Sequence, residues 1–354
     1  VSALFSPLTL RSVTLPNRIA VSPMCQYSAR DGFPDEWHLV HLGSRAVGGA
    51  GLVLSEATAV QAVGRISPAD TGLWDDAHIE AWRPITAFIR AHGAVPGVQL
   101  AHAGRKASTH PPFAPEHGGV SDEEGGWTPV APSAVPFSET YRVPTELDEA
   151  GIAQVVADFA AAARRAVAAG FDVVEVHAAH GYLLHEFLSP LSNQRTDGYG
   201  GSLANRTRIA REVTAAVREA VGEDVPVLVR ISATDWVDGG WTAEDSVALA
   251  RDLTAVGADL IDVSTGGNVP KADIPVGPGY QVPFAKTVRQ KADVPVGAVG
   301  MITEARQAEE ILADGSADLV LLARELLRDP YWPWHAAKEL GARVTPPKQY
   351  ARAF

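Results

Sequence analysis

Five times in its second half the chain writes the same phrase: a glycine- or proline-marked turn followed by a short run that is apolar on both faces. Gly170-Phe171-Asp172 precedes VVEVH, Gly257-Ala258-Asp259 precedes LIDVS, and Gly315-Ser316-Ala317-Asp318 precedes LVLLA. Val225-Pro226 precedes VLVRI and Val294-Pro295 precedes VGAVG. A β-branched run without polar alternation fits a strand covered on both sides, as in a parallel sheet. The preceding glycine suits the end of a helix that returns to a strand. Between these runs the pattern turns helical over 148–169, 202–221, 283–291 and 303–313. Another helix opens at Thr242, the expected N-cap, with Asp245 in the place of the capping-box acid. The first half follows the scheme more loosely, with strands at 19–22, 51–55 and 94–100 and helices near 37–47 and 77–91.

Eight strands alternating with helices predict an α/β chain folded as a closed (β/α)8 TIM barrel, one domain across residues 1–354. An open doubly wound sheet is the weaker alternative, because no G-x-G-x-x-G follows the first strand. Two additions are expected. Residues 8–15, around Arg11-Ser12, form an N-terminal hairpin, and 103–146 is a long Pro- and Gly-rich loop after the third strand that caps the barrel.

Composition narrows the function. With 46% hydrophobic residues the chain of 354 can build a large core. Its net charge of −12, without a long basic run, argues against nucleic acid as a partner. Cys25 is the only cysteine, which excludes an internal disulfide, a four-cysteine iron–sulfur cluster and a zinc knuckle. No apolar run reaches the ~18 residues of a membrane span, and the N-terminus lacks a signal-peptide layout, so a soluble protein of the cytoplasm is expected.

Barrel chemistry sits at the C-terminal ends of the strands. Those ends carry Ser22-Pro23-Met24-Cys25, Glu56-Ala57-Thr58, Gln99 with His102, Glu175 with His177, Arg230, Ser264-Thr265, Gly297 to Gly300, and Ala323-Arg324. Polar groups from so many strands point to an enzyme. Gly297 and Gly300, with Arg324 from the next strand, mark the usual phosphate corner, although the glycines alone could merely ease a turn. His177-Ala178-Ala179-His180-Gly181-Tyr182 is the densest cluster. Two imidazoles could ligate zinc with Glu175, Asp235 or Asp262 as a third ligand. Alternatively they grip a substrate oxygen while Tyr182, with a reference pKa of about 10, supplies a proton. One of the histidines could also be a satisfied core residue. Cys25 is either a small buried hydrophobe or a functional thiol, and a nucleophile would need a histidine beside it.

At these residues the sequence resembles the old yellow enzyme family of FMN-dependent ene-reductases, in its thermophilic-like branch with the xenobiotic reductases. The likeness rests on Ser22-Pro23-Met24-Cys25-Gln26-Tyr27, on Ala101-His102-Ala103-Gly104-Arg105-Lys106, and on the run from His177 through Asn193 and Arg195 to Asn205-Arg206. Ala323-Arg324-Glu325-Leu326-Leu327 and Gln349-Tyr350-Ala351-Arg352 complete it. The resemblance implies a barrel with tight, non-covalent FMN at its top and NADPH or NADH as reductant. It assigns Ser22, Pro23, Met24, Cys25, Ala57, Gln99 and Arg230 to the flavin ring and ribityl chain, and Gly297, Gly300, Ala323 and Arg324 to the phosphate. His177 and His180 would hold the oxygen of an α,β-unsaturated carbonyl compound. Tyr182 would protonate it after hydride transfer from flavin N5, and Tyr27 would line the pocket. A homodimer, or an oligomer built from dimers, is implied, with the tail 345–354 carrying Arg352 into the partner's site. No metal, nucleic acid or membrane is implied. The sequence departs from the family at Ala323, commonly glycine, at Phe354, often tryptophan, and in a longer 109–127 segment.

Overall fold

The computed structural model describes residues 2–353; Val1 and Phe354, the last residue of the predicted tail, lie outside them. The chain opens with the strands β1 (Leu8–Leu10) and β2 (Val13–Leu15), then β3 (Ile19–Val21), α1 (Glu36–Val47), β4 (Leu52–Ala59), α2 (Ala77–Ala91) and β5 (Val95–Ala101). A long excursion contains only the short pair β6 (Val130–Ala131) and β7 (Thr145–Glu146) besides 3-10 turns. The second half runs α3 (Glu149–Ala168), β8 (Val173–Ala178), α4 (Leu183–Leu188), α5 (Leu203–Arg206), α6 (Arg208–Val221), β9 (Val227–Ser232), α7 (Ala243–Ala255) and β10 (Leu260–Ser264). It ends with α8 (Val282–Ala292), β11 (Val296–Val299), α9 (Ala305–Ala313), β12 (Leu319–Leu322), α10 (Arg324–Arg328) and α11 (Trp332–Leu340).

The eight predicted strands are β3, β4, β5, β8, β9, β10, β11 and β12. They pair in parallel and close into a barrel when β12 meets β3. The predicted hairpin is present, with Leu8 opposite Leu15 and Leu10 opposite Val13. It plugs the barrel floor: Leu10 and Leu15 pack with the inward side chains of Ala20, Leu52, Leu54, Val173, Leu228, Leu260, Leu319 and Leu321. The outward residues of the same strands, such as Val53, Val98, Val174, Val229 and Ile261, form the larger core beneath the helices. Burial on both faces explains why these strands read as unbroken apolar runs.

Residues two apart on a strand share a face. Above Val173 the inward positions of β8 are therefore Glu175 and His177. Above Leu228 on β9 come Arg230 and Ser232, and above Leu260 on β10 come Asp262 and Ser264. Register places Gln99 beside Glu175, and Asp262 beside Arg230. A polar layer thus sits on the apolar floor and under the mouth.

Gly297 departs from expectation. It lies inside β11, where an added Cβ would stand 2.6 Å from Leu321 Cδ1. Its smallness makes room for that leucine within the barrel, so packing alone is a sufficient reason for a glycine there, and Gly297 does not line the cavity at the barrel mouth.

Among the helices, 202–221 is split into α5 and α6 at Thr207, whose hydroxyl bonds back to the Ala204 carbonyl. Thr242 and Asp245 form the predicted capping box of α7. The prediction lacked α4, α10 and α11. The six residues of α4 are all buried, so no amphipathic period marks them. The ends of α11, by contrast, are written in Pro333 near its start and Gly341 at its C-cap. Among the described residues no helix is long and apolar enough to cross a membrane.

Candidate active site

A cavity of about 500 Å³ opens at the C-terminal mouth of the barrel. Ser22, Pro23, His180, Arg230, Gly300, Ala323 and Arg324, all expected at the site, line it. Its size suits a cofactor-sized ligand. One end carries Arg324, Arg328 and the acid Glu325. Arg328 is paired with Glu325, whereas no ion pair engages Arg324 among the described residues. The backbone there turns through positive φ at Gly300 (119°) and Met301 (49°). Gly300 also admits Gln281, whose Nε2 would lie 2.6 Å from an added Cβ. A guanidinium free of carboxylate partners beside a glycine turn is suited to a phosphate.

At the other end Arg230 is fixed by its own barrel. Its Nε donates to Asp262 Oδ2 at 2.5 Å and its Nη2 to Ser22 Oγ at 2.7 Å. Burial opposes the charge, but Asp262 and then Glu175 outweigh it, so the guanidinium is held above its ordinary value. Gln99 donates its amide to Glu175 Oε1 at 2.9 Å and does not line the cavity. A planar cofactor with a polar edge toward Arg230 and a phosphate toward Arg324 therefore fits the residues present.

The predicted cluster assembles beside this cavity. The rings of His177 and His180 meet edge to face at 5.3 Å, and those of His177 and Tyr182 at 5.0 Å. Burial, followed by neighbouring positive charge, lowers both imidazoles well below the ordinary value, so both are neutral. His177 Nδ1 accepts from the Ala179 amide at 3.3 Å, which leaves the proton on Nε2. His180 Nε2 is 2.7 Å from Ser264 Oγ; donation to a ligand from that nitrogen requires the Ser264 contact to be exchanged. Burial, then Cys25, Asp70 and Tyr141, raise Tyr182 well above its ordinary value, so the phenol keeps its proton.

Cys25, Tyr27 and Tyr182 pack with Trp127 around the small side chains Ala57, Ala101, Ala103 and Ala107. Burial pushes the Cys25 thiol well up, with Asp70 and Glu56 adding to it, so it is no activated nucleophile. Phe113, from the long excursion, meets Tyr27 edge on at 6.0 Å. Met24 packs into the outer core. Arg352 is exposed in the tail and lines no part of this chain's cavity.

Not every polar strand end converges. Glu56 turns to His38, with 3.5 Å between Oε2 and Nε2. His102 bonds Gln61 Oε1 and accepts from the Gly104 amide. Asp235 accepts from His185, Ser189 and the Trp241 amide, and Asp262 is committed to Arg230, so neither is presented to the histidine pair.

Sequence reasoning names Ser264 among the polar strand ends and Lys106 within a motif but gives neither a role. Lys106 Nζ donates to the carbonyls of His180 and Gly267 and lies 4.8 Å over the Tyr182 ring. Burial lowers it to about 8. His180 has φ 60°, so this clamp holds an unfavourable backbone in place. Four residues after His102, Lys106 already stood in a motif; its target, a backbone carbonyl, leaves no mark in sequence.

The comparisons with known proteins agree with this geometry. The model of the NADH:flavin oxidoreductase / NADH oxidase family matches residues 3–342. An NADPH dehydrogenase of Geobacillus sp. (strain WCH70) is 52% identical over 353 residues, covering 99% of this chain and 98% of that protein. Among solved structures, morphinone reductase superposes with a TM-score of 0.80 at 30% identity, over 99% of this chain and 92% of that one. An old yellow enzyme homologue from Zymomonas mobilis gives 0.79 at 28%, over 97% and 94%. With the barrel, the cavity and these likenesses together, the chain belongs to the NADH:flavin oxidoreductase / NADH oxidase family, as an FMN-dependent oxidoreductase of the old yellow enzyme kind.

Proposed function

We propose that the protein is an ene-reductase that catalyses NADPH + H⁺ + enone → NADP⁺ + saturated carbonyl compound. The observation that carries this reading is the packing of His180 and the Tyr182 phenol edge to face against His177, at 5.3 and 5.0 Å, where burial favours neutral imidazoles and a protonated phenol. FMN, when bound, would supply the redox chemistry that carries hydride from the nicotinamide to the β-carbon. The chain's own residues do the rest. Arg324 and the Gly300 turn would hold the phosphate of FMN, and Arg230 with Ser22 would hold the polar edge of its ring. His177 donates from Nε2 to the carbonyl oxygen, joined by His180 once Ser264 is exchanged. These donors stabilise the negative charge that develops on the oxygen. The Tyr182 hydroxyl delivers the proton to the α-carbon. Lys106 fixes the His180 backbone, while Tyr27 and Trp127 pack in the same cluster as Tyr182.

The reading extends to the assembly: the protein forms dimers in which Arg352 lines the partner's pocket. The test of the reaction is anaerobic. Protein reduced with one equivalent of NADPH is mixed with 2-cyclohexenone, and reoxidation with formation of cyclohexanone is expected. Protein reduced by NADPH but reoxidised only by oxygen, never by an enone, would contradict the proposal.

A further inference from the structure

The middle of the barrel carries a charge balance that the reaction above leaves unused. Arg230 and Asp262 are register partners on β9 and β10, Glu175 lies on β8 two residues before Arg230's partner His177, and both carboxyls are 0% exposed. Asp262 has the close guanidinium contact, 2.5 Å from Oδ2 to Arg230 Nε. Glu175 Oε1 is 3.9 Å from the same nitrogen and accepts from the neutral amide of Gln99. One oxygen of each acid, Glu175 Oε2 and Asp262 Oδ1, has no hydrogen-bond partner among the described residues.

Two buried anions against one cation would leave an uncompensated charge and two unsatisfied oxygens, each costly in a sealed interior. A single proton between those oxygens removes both defects. It belongs on Glu175, because Asp262 already has the guanidinium. Burial first, and Asp262 second, push Glu175 well up in agreement with this placement. The other groups facing the layer are uncharged: Gln99 from β5, Ser22 beyond β3, and His177 further along β8, which burial and Arg230 keep neutral.

We propose that Glu175 and Asp262 share one proton and so set the net charge that Arg230 presents to bound FMN, with Asp262 ionised as the guanidinium's anchor and Glu175 neutral. They are positioning residues that act through Arg230. The layer then holds one cation and one anion, and it does not oppose the electron density a flavin gains on reduction. This rests on the reading that the flavin lies over Arg230.

The test is the midpoint potential of the holoenzyme at pH 7. In Glu175→Gln a neutral amide replaces a neutral acid and still donates to Asp262, so the equilibrium constant for flavin reduction stays within about twofold of wild type. Asp262→Asn removes the anion and raises that constant at least tenfold, about 30 mV for a two-electron couple. A rise in Glu175→Gln equal to that in Asp262→Asn would show Glu175 ionised and overturn the proposal, as would an unshifted Asp262→Asn. Should Asp262→Asn fail to fold, the infrared difference between wild type and Glu175→Gln decides. The carbonyl stretch of a protonated carboxyl is expected in wild type and lost in the variant; no such difference overturns the proposal. That band does not depend on flavin, whereas a wild-type protein unable to take up FMN would instead overturn the reading of the cavity.

Discussion

Residue by residue, burial keeps several titratable groups around the site uncharged, His177, His180 and Tyr182 among them. Asp70 shows the cost. It accepts hydrogen bonds from the Ile66 and Ser67 amides and from the Ser67 hydroxyl, yet burial pushes it up to about 7 from its ordinary 3.8. A folded-state value raised above the unfolded one contributes stability that is complete below the unfolded value and lost as pH rises through the folded one. Between pH 4 and 8 the wild type should therefore lose stability relative to Asp70→Asn, by up to ~4 kcal/mol. Thermal unfolding of both proteins across that range measures it. A gap that is constant with pH would mean that Asp70 is ionised throughout. The same scale shows what sequence could not convey. The cluster His177, His180 and Tyr182 was legible because its members lie within six positions. That His180 spends Nε2 on Ser264 and Gln99 spends its amide on Glu175 was not, since those partners lie 84 and 76 positions away.

Elements explain why the barrel was so readable and its phosphate corner less so. Parallel strands buried on both faces advertise themselves as apolar runs, and all eight were found where those runs stand. A glycine, however, has the same appearance whether it admits a ligand or a neighbouring leucine. In β11 Gly297 faces Leu321, while Gly300 beyond the strand's end faces the cavity. Gly297→Ala should overpack the interior and cost about 1–3 kcal/mol of stability while FMN binding by the folded protein stays unchanged. Chemical denaturation alongside a flavin titration separates the two. Unchanged stability with weakened FMN binding would return Gly297 to the phosphate. Local signals also failed for α4, which is buried all round and carries no polar face.

At the scale of the molecule, a chain of net charge −12 presents in its cavity a guanidinium, Arg324, that no carboxylate pairs among the described residues, while Arg328 is paired with Glu325. An unpaired guanidinium there gives an anionic phosphate a local point of attraction that the chain's net charge does not provide. The tail leaves this chain's own cavity, and Arg352 is exposed. If it serves a partner's pocket, Arg352→Ala should keep FMN and the fold while raising KM for the enone several-fold. Steady-state kinetics with sedimentation on the same sample checks this, and wild-type kinetics in a dimer would deny Arg352 that role.

The account turns on Tyr182 as the proton donor, and the two half-reactions isolate it. In stopped-flow experiments Tyr182→Phe should be reduced by NADPH at nearly the wild-type rate, while reoxidation by 2-cyclohexenone slows about 10²–10⁴-fold. Reoxidation at the wild-type rate would show that the proton comes from elsewhere and would contradict the mechanism.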